Sequence, residues 1–342
     1  MRFCRHNRFI ERCPICRETV PGLAPPEKVA GRGGGSRAGR QPATGTRAGA
    51  AGAARKPRRG RGAPELHVRQ ELRAEDDGYR CDLAPGLRSS IDAERLAQEV
   101  AFADGRWLAI RMAPPDLYGE IREQEDRDEA SWMCFLAAYL SPLQGPDPFL
   151  GVRQALRADW RAGELPDLSE LPLGPRTSHD PARGEATLRA YLQWKEHGDR
   201  QAGGEGGAFV GDPVWTPARR FERLFERLTL PGLARMGRYD LLVTLGRIGV
   251  YELHTDSLFL AAGRGGADGD LTLLAAKRLF GIGEPMHLER RARALAQAMS
   301  VPAEALDLAF ANWGAGERAT LGVPAEAFDD HALQRARTAL EL

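Results

Sequence analysis

A chain of 342 residues, 42% of them hydrophobic, is long enough for one large domain or two ordinary ones with a real core. Its formal net charge of +1 hides a division: residues 1–63 carry 15 Lys or Arg against Glu11, Glu18 and Glu27, a net of +12, so the remainder sums to −11. The basic arm is the electrostatic footprint of nucleic-acid binding, whereas the acidic body argues against a broad phosphate-binding surface. No apolar run approaches the roughly 20 residues of a membrane span, and MRFCRHNRFIERC lacks the apolar centre of a secretory signal. A cytoplasmic protein with no membrane partner is expected, and an odd count of five cysteines is poor material for a disulfide framework.

The first element, residues 1–21, contains C-x-H-x6-C-x2-C, formed by Cys4, His6, Cys13 and Cys16. Zinc takes four tetrahedral nitrogen or sulfur ligands, and a C-x2-C knuckle with Pro14 inside it turns two thiolates toward one ion. Three cysteines and a histidine leave no position for water, so the expectation is a structural zinc knuckle that contributes folding energy to a piece too small for its own core. Cys81 and Cys134 lie elsewhere and read as buried small hydrophobes. Residues 22–63 form a Gly/Ala/Arg/Pro tract with no periodic apolar face, expected to be a disordered basic linker that cannot offset its ordering entropy by burial. Its KPRRGRG stretch can add affinity for DNA or RNA.

Residues 64–114 give mixed signals. LHVRQEL alternates like a strand, IDAERLAQEVAFA has helical spacing and RWLAIRM resembles a strand, so a small mixed α/β segment is expected. From residue 115 to 342 the pattern is helical, with six or more helices expected. Trp132, Phe135, Leu136 and Tyr139 share one face, and Thr216 followed by Pro217 is an N-cap with proline at N1 ahead of the Phe221, Leu224, Phe225 and Leu228 stripe. Leu241, Leu242, Leu245 and Ile248 repeat it before Gly249, and residues 271–280, a helix opened by Glu284 and Pro285, and a helix near 306–313 complete the set. The Gly/Pro-rich stretches 163–183 and 198–214 are long enough to read as functional or mobile loops.

Two glycines around one apolar residue, Gly281-Ile282-Gly283, mark a sharp turn between two helices, since glycine inside a helix costs about 1 kcal/mol relative to alanine. The L-x-G-I-G run at residues 279–283 resembles the helix-hairpin-helix element of DNA glycosylases, which implies backbone amides at Gly281, Ile282 and Gly283 on one DNA phosphate, with the positive helix N-terminus behind them. Asp307, one helix further on, matches the place of that family's catalytic aspartate. Met286 and His287 stand where Thr-Ala is common, and the second helix has no lysine for a Schiff base, so base excision by this chain would be monofunctional.

A closer resemblance covers most of the C-terminal half. WTPARRFERLFERLTLPGLARMGRYDLLVTLGRIGVYEL, LLAAKRLFGIGEP, ERRARALA and VPAEALDLAFANW, with CRHNRFIERCPIC at the start, resemble the bacterial family of alpha-glutamyl/putrescinyl thymine pyrophosphorylases, clade 3. The resemblance implies a mainly α fold, a helical bundle of DNA glycosylase-like type, acting on hypermodified thymine in DNA and replacing pyrophosphate by an amine co-substrate. A monofunctional DNA glycosylase excising a modified pyrimidine, and a non-enzymatic DNA-binding or adaptor protein, are the alternative readings. Either reaction needs the base out of the stack. Trp132, Tyr139, Trp215, Tyr239 and Trp313 are candidate pocket walls, although aromatic stripes are more often core. Arg235, Arg238 and Lys277 are the expected contacts for the leaving group or a phosphate, and His254 and His287 are candidate acid-base groups.

Overall fold

The computed structural model describes residues 74–263 and 269–342, all of which fall in one compact unit, Val68–Leu342. The zinc ligands Cys4, His6, Cys13 and Cys16, the linker 22–63 and the LHVRQEL strand expectation lie outside the described residues.

Eleven α-helices occur among the described residues, in the order α1 (Ser90–Met112), α2 (Leu117–Glu123), α3 (Arg127–Leu140), α4 (Leu150–Ala155), α5 (Gly184–Ala202), α6 (Pro217–Arg227), α7 (Arg235–Ile248), α8 (Leu271–Phe280), α9 (Pro285–Met299), α10 (Ala303–Trp313) and α11 (Asp330–Ala339). No strand occurs among them, so the mainly α reading of residues 115–342 holds. The mixed α/β expectation does not hold for RWLAIRM, which is the last two turns of α1. The physical reason is the spacing of what it buries: Val100, Ala103, Trp107 and Ile110 face inward at intervals of three and four, while Leu108 and Met112 face solvent. Gly105 sits mid-helix because an added Cβ would stand 2.8 Å from the Ala327 carbonyl oxygen, so α1 and the approach to α11 touch backbone to backbone there.

One hydrophobic cluster runs through the unit. α1 packs on α10, α11 and α7, while α3 packs on α7 and α8 on α10. The α3 stripe stacks on α5, with Phe135 and Tyr191 rings 3.9 Å apart and nearly parallel. Trp132, Tyr139, Tyr239 and Trp313 are buried in this core. Cys81 and Cys134 are buried free thiols, matching their reading as small hydrophobes. Local signals set several boundaries: the Thr216 hydroxyl accepts from the Arg219 amide at 3.2 Å to open α6, and the Asp270 carboxylate caps α8 by accepting from the Leu273 amide at 3.0 Å. Two short contacts position α8. The Gly86 amide donates to the Leu279 carbonyl at 2.8 Å, and any side chain at 86 would strike the Arg278 carbonyl, so the 84–87 turn clamps the last turn of α8.

A buried charge cluster and an exposed turn as the candidate functional site

Residues 174–178 are fastened to the end of α3. The Gly174 amide donates to the Leu140 carbonyl at 3.0 Å, the Arg176 amide to the Ser141 hydroxyl at 3.3 Å, and the Ser178 amide and Thr177 hydroxyl both to the Tyr139 carbonyl at 3.0 Å. Glycine is required at 237, where a Cβ would come within 2.5 Å of the Ser178 hydroxyl, so the segment lies directly on α7. This placement drives the Arg176 side chain into the bundle interior. Its Nε donates to Asp240 Oδ2 at 2.7 Å and its Nη2 to Asp240 Oδ1 at 2.9 Å, a two-pronged pair, and Nη2 also reaches Asp307. Arg235, at the start of α7, bonds Asp270 Oδ2 through Nε at 2.6 Å and the Leu258 carbonyl through Nη1 at 2.7 Å. Its Nη1 stands 2.8 Å from Asp307 Oδ1 without aiming a hydrogen at it, so that contact is Coulombic rather than a formed hydrogen bond.

Two arginines and three aspartates therefore sit together with almost no solvent. Burial opposes the charge of Arg176, but Asp240 and Asp307 more than offset it and its pKa lies above the ordinary arginine value. For Asp270 burial is outweighed by Arg235 and its pKa falls, whereas for Asp240 burial wins over Arg176 and its pKa rises. Arg176 Nη1, Arg235 Nη2 and the Tyr239 hydroxyl are buried with no hydrogen-bonding partner among the described residues. Burial holds the Tyr239 phenol well above its ordinary value, so it stays protonated.

The turn at residues 281–283 is the opposite case. α8 ends at Phe280 and α9 begins at Pro285, as the two glycines imply, and Gly281 has a φ of 88° that side chains avoid. Ile282 is 98% exposed and Met286 84% exposed. No acceptor among the described residues takes the amides of Ile282, Gly283 or Glu284, which lie in an exposed stretch just ahead of a 15-residue helix.

The expected residues are thus distributed unevenly. Asp307, expected to face an everted nucleotide, has 0% exposure and lies against Arg176 and Arg235. Arg238 points away from it, donating through Nη1 to the Phe225 carbonyl and the Thr229 hydroxyl, both at 3.1 Å. Lys277 is half-buried on α8, one turn before the 281–283 turn, and makes no ion pair among the described residues. His287 lies between Arg290 and Arg291, each 3.0 Å from a ring nitrogen, and His254 is exposed. Sequence reasoning missed Arg176, Asp240 as its partner, and Asp270. Asp270 could have been found as an N-cap ahead of LTLL, and Arg176 lies in the 163–183 loop singled out for its length, but nothing local marks its partners.

No curated protein and no solved structure matches this chain. Residues 184–319, which include Arg235, Asp240, Asp270, the 281–283 turn and Asp307, match the model of the family described as Alpha-glutamyl/putrescinyl thymine pyrophosphorylase clade 3.

Proposed function

We propose that the protein acts on a modified thymine in DNA and replaces a pyrophosphate carried by the base with an amine. The observation that carries this reading is the open turn at 281–283 inside the matched span, with unpartnered amides and a helix N-terminus behind them. Such amides suit one DNA phosphate, in the manner of a helix-hairpin-helix, and Ile282 at the tip suits contact with the sugar-base edge. The target base must leave the stack to be reached. Lys277 is assigned in this reading to an anionic group beside the turn, a choice supported by the commitment of Arg235 and Arg238 to Asp270, Asp307 and the 225–229 turn. Asp307 acts in this reading through Arg176 and Arg235, as a positioning residue packed at the start of α8. Structural zinc on Cys4, His6, Cys13 and Cys16 belongs to the same proposal, and metal content per chain by mass spectrometry tests it.

The test uses DNA bearing hydroxymethyluracil or its pyrophosphate ester, incubated with the full chain, with and without putrescine or glutamate. Pyrophosphate released together with an equal amount of a heavier nucleoside is the expected result. Free base in place of the heavier nucleoside would make the protein a monofunctional glycosylase. Salt-sensitive DNA binding with neither product would leave a non-enzymatic DNA-binding protein, and no binding at all would leave an adaptor.

A further inference from the structure

The segment that sends Arg176 inward sends His179 outward. Its ring lines a cleft of about 440 Å³ whose apolar side is Leu165, Pro166 and Leu168 and whose polar side is Asp167, Glu185 and Arg189. Nδ1 lies 3.2 Å from the hydroxyl of the buried Tyr139, edge-on to its ring, while Nε2 has no partner among the described residues. The ring is fitted to its place: at Gly184 an added Cβ would come within 2.6 Å of His179 Cε1. Of the groups around the cleft, Glu185 is bonded to Arg189 at 2.6 Å, Asp180 lies 3.7 Å from Arg183, and Asp167 has no ion pair. Asp167 is held ionised by the Ser169 amide, which lowers its pKa, and burial lowers that of His179 against the pull of Asp180. The charges therefore sum to one uncompensated carboxylate opposite a neutral imidazole, over a strip of aliphatic surface.

We propose that this cleft binds a short alkyl diamine, with Asp167 holding one ammonium, Leu165 and Leu168 covering the methylenes and His179 Nε2 taking a proton from the other. This rests on the amine-transfer reading above and selects between the two amines in the family description: a diamine cation suits the net negative cleft, whereas the carboxylates of glutamate would meet Asp167 and Glu185. In the step it serves, the ammonium gives one proton to Nε2, and the freed lone pair forms a C–N bond to the methylene on the base. The C–O bond to pyrophosphate breaks and the electron pair leaves with pyrophosphate. The tautomer required carries its proton on Nδ1, donated to the Tyr139 oxygen, so that Nε2 is the acceptor.

Calorimetric titration of the full chain with putrescine and, separately, glutamate tests the proposal without DNA. Putrescine is expected to bind one per chain and glutamate at least tenfold more weakly. Asp167→Asn, at an exposed position where folding is not at stake, is expected to weaken putrescine at least tenfold. His179→Asn is expected to leave putrescine affinity within about threefold and to lower turnover with DNA at least a hundredfold at unchanged KM for the amine, a split that a merely structural role would not give. Preference for glutamate, or indifference to Asp167→Asn, would overturn the proposal. Putrescine bound as stated, with no reaction on any modified thymine, would instead overturn the DNA reading while leaving the diamine site in place.

Discussion

The interior cluster around Asp307 and the tip around Ile282 invert each other. In the first, guanidinium and carboxylate groups from α7, α10, the cap of α8 and the loop that carries Arg176 neutralise one another out of water. In the second, an isoleucine and backbone amides stand exposed to water, with no acceptor among the described residues. The sequence suggested openness at both, an available acid at Asp307 and free amides at the turn, and only the turn is exposed. The lesson is that residue type does not say where a polar group is free: carboxylates can be taken up by arginines from distant elements, while plain backbone amides at a turn stay open to solvent.

The contrast can be broken most severely at Asp307. Replacing it with alanine leaves two buried arginines short of a counter-charge, and urea denaturation should show a loss of about 3–5 kcal/mol. A loss below about 1 kcal/mol would mean that the cluster is wetter than its geometry. Asp104 on α1 sharpens the comparison from the other side, because it faces a like charge. Burial, and then Asp329, push its pKa from 3.8 up to about 6, with Arg335 3.6 Å away giving partial relief. A carboxyl whose folded pKa is raised contributes stability fully below its unfolded value and loses it as pH rises through the folded one. Stability from this group should therefore fall between about pH 4 and pH 6, and Asp104→Asn should gain roughly 1–2 kcal/mol at pH 7, discounted for partial solvent access, while flattening that slope. Asp329 itself shifts the other way: burial opposes its charge, but hydrogen bonds from the Ala332 amide, Asp104 and the His331 amide together outweigh it, so its contribution disappears only in stronger acid. The smallest expected effect is at the tip: Ile282→Ala should change the unfolding free energy from urea denaturation by less than about 0.5 kcal/mol. DNA affinity should nonetheless fall severalfold. Unchanged DNA binding would detach the turn from the proposed function.

Much of the helical bundle was legible because its signals are local. Thr216-Pro217 announces α6, the Trp132 to Tyr139 spacing announces a buried face of α3, and Gly281 and Gly283 announce the break before Pro285. RWLAIRM misled because a short apolar run, Trp107 to Ile110, between two arginines cannot be told from a strand by periodicity alone. The environment of Asp307 was not legible at all. It depends on Arg176, 131 residues earlier, being lowered onto α7 by hydrogen bonds to the end of α3. The Arg238-Tyr239-Asp240 triplet shows both sides of this: helix geometry alone predicts that adjacent side chains diverge, and they do, Arg238 toward Phe225 and Asp240 toward Arg176.

The clamp of Gly86 on the last turn of α8 carries a practical consequence. An excised piece spanning only 184–319 would lack that clamp, the Asp92 carboxylate that holds Arg278 at 3.2 Å, the Asp92 carbonyl that receives the Trp313 indole, and Arg176 itself. The stretch that matches the family model thus leans on residues the match does not reach: the end of α8 and the turn that follows it are held in place from outside the span.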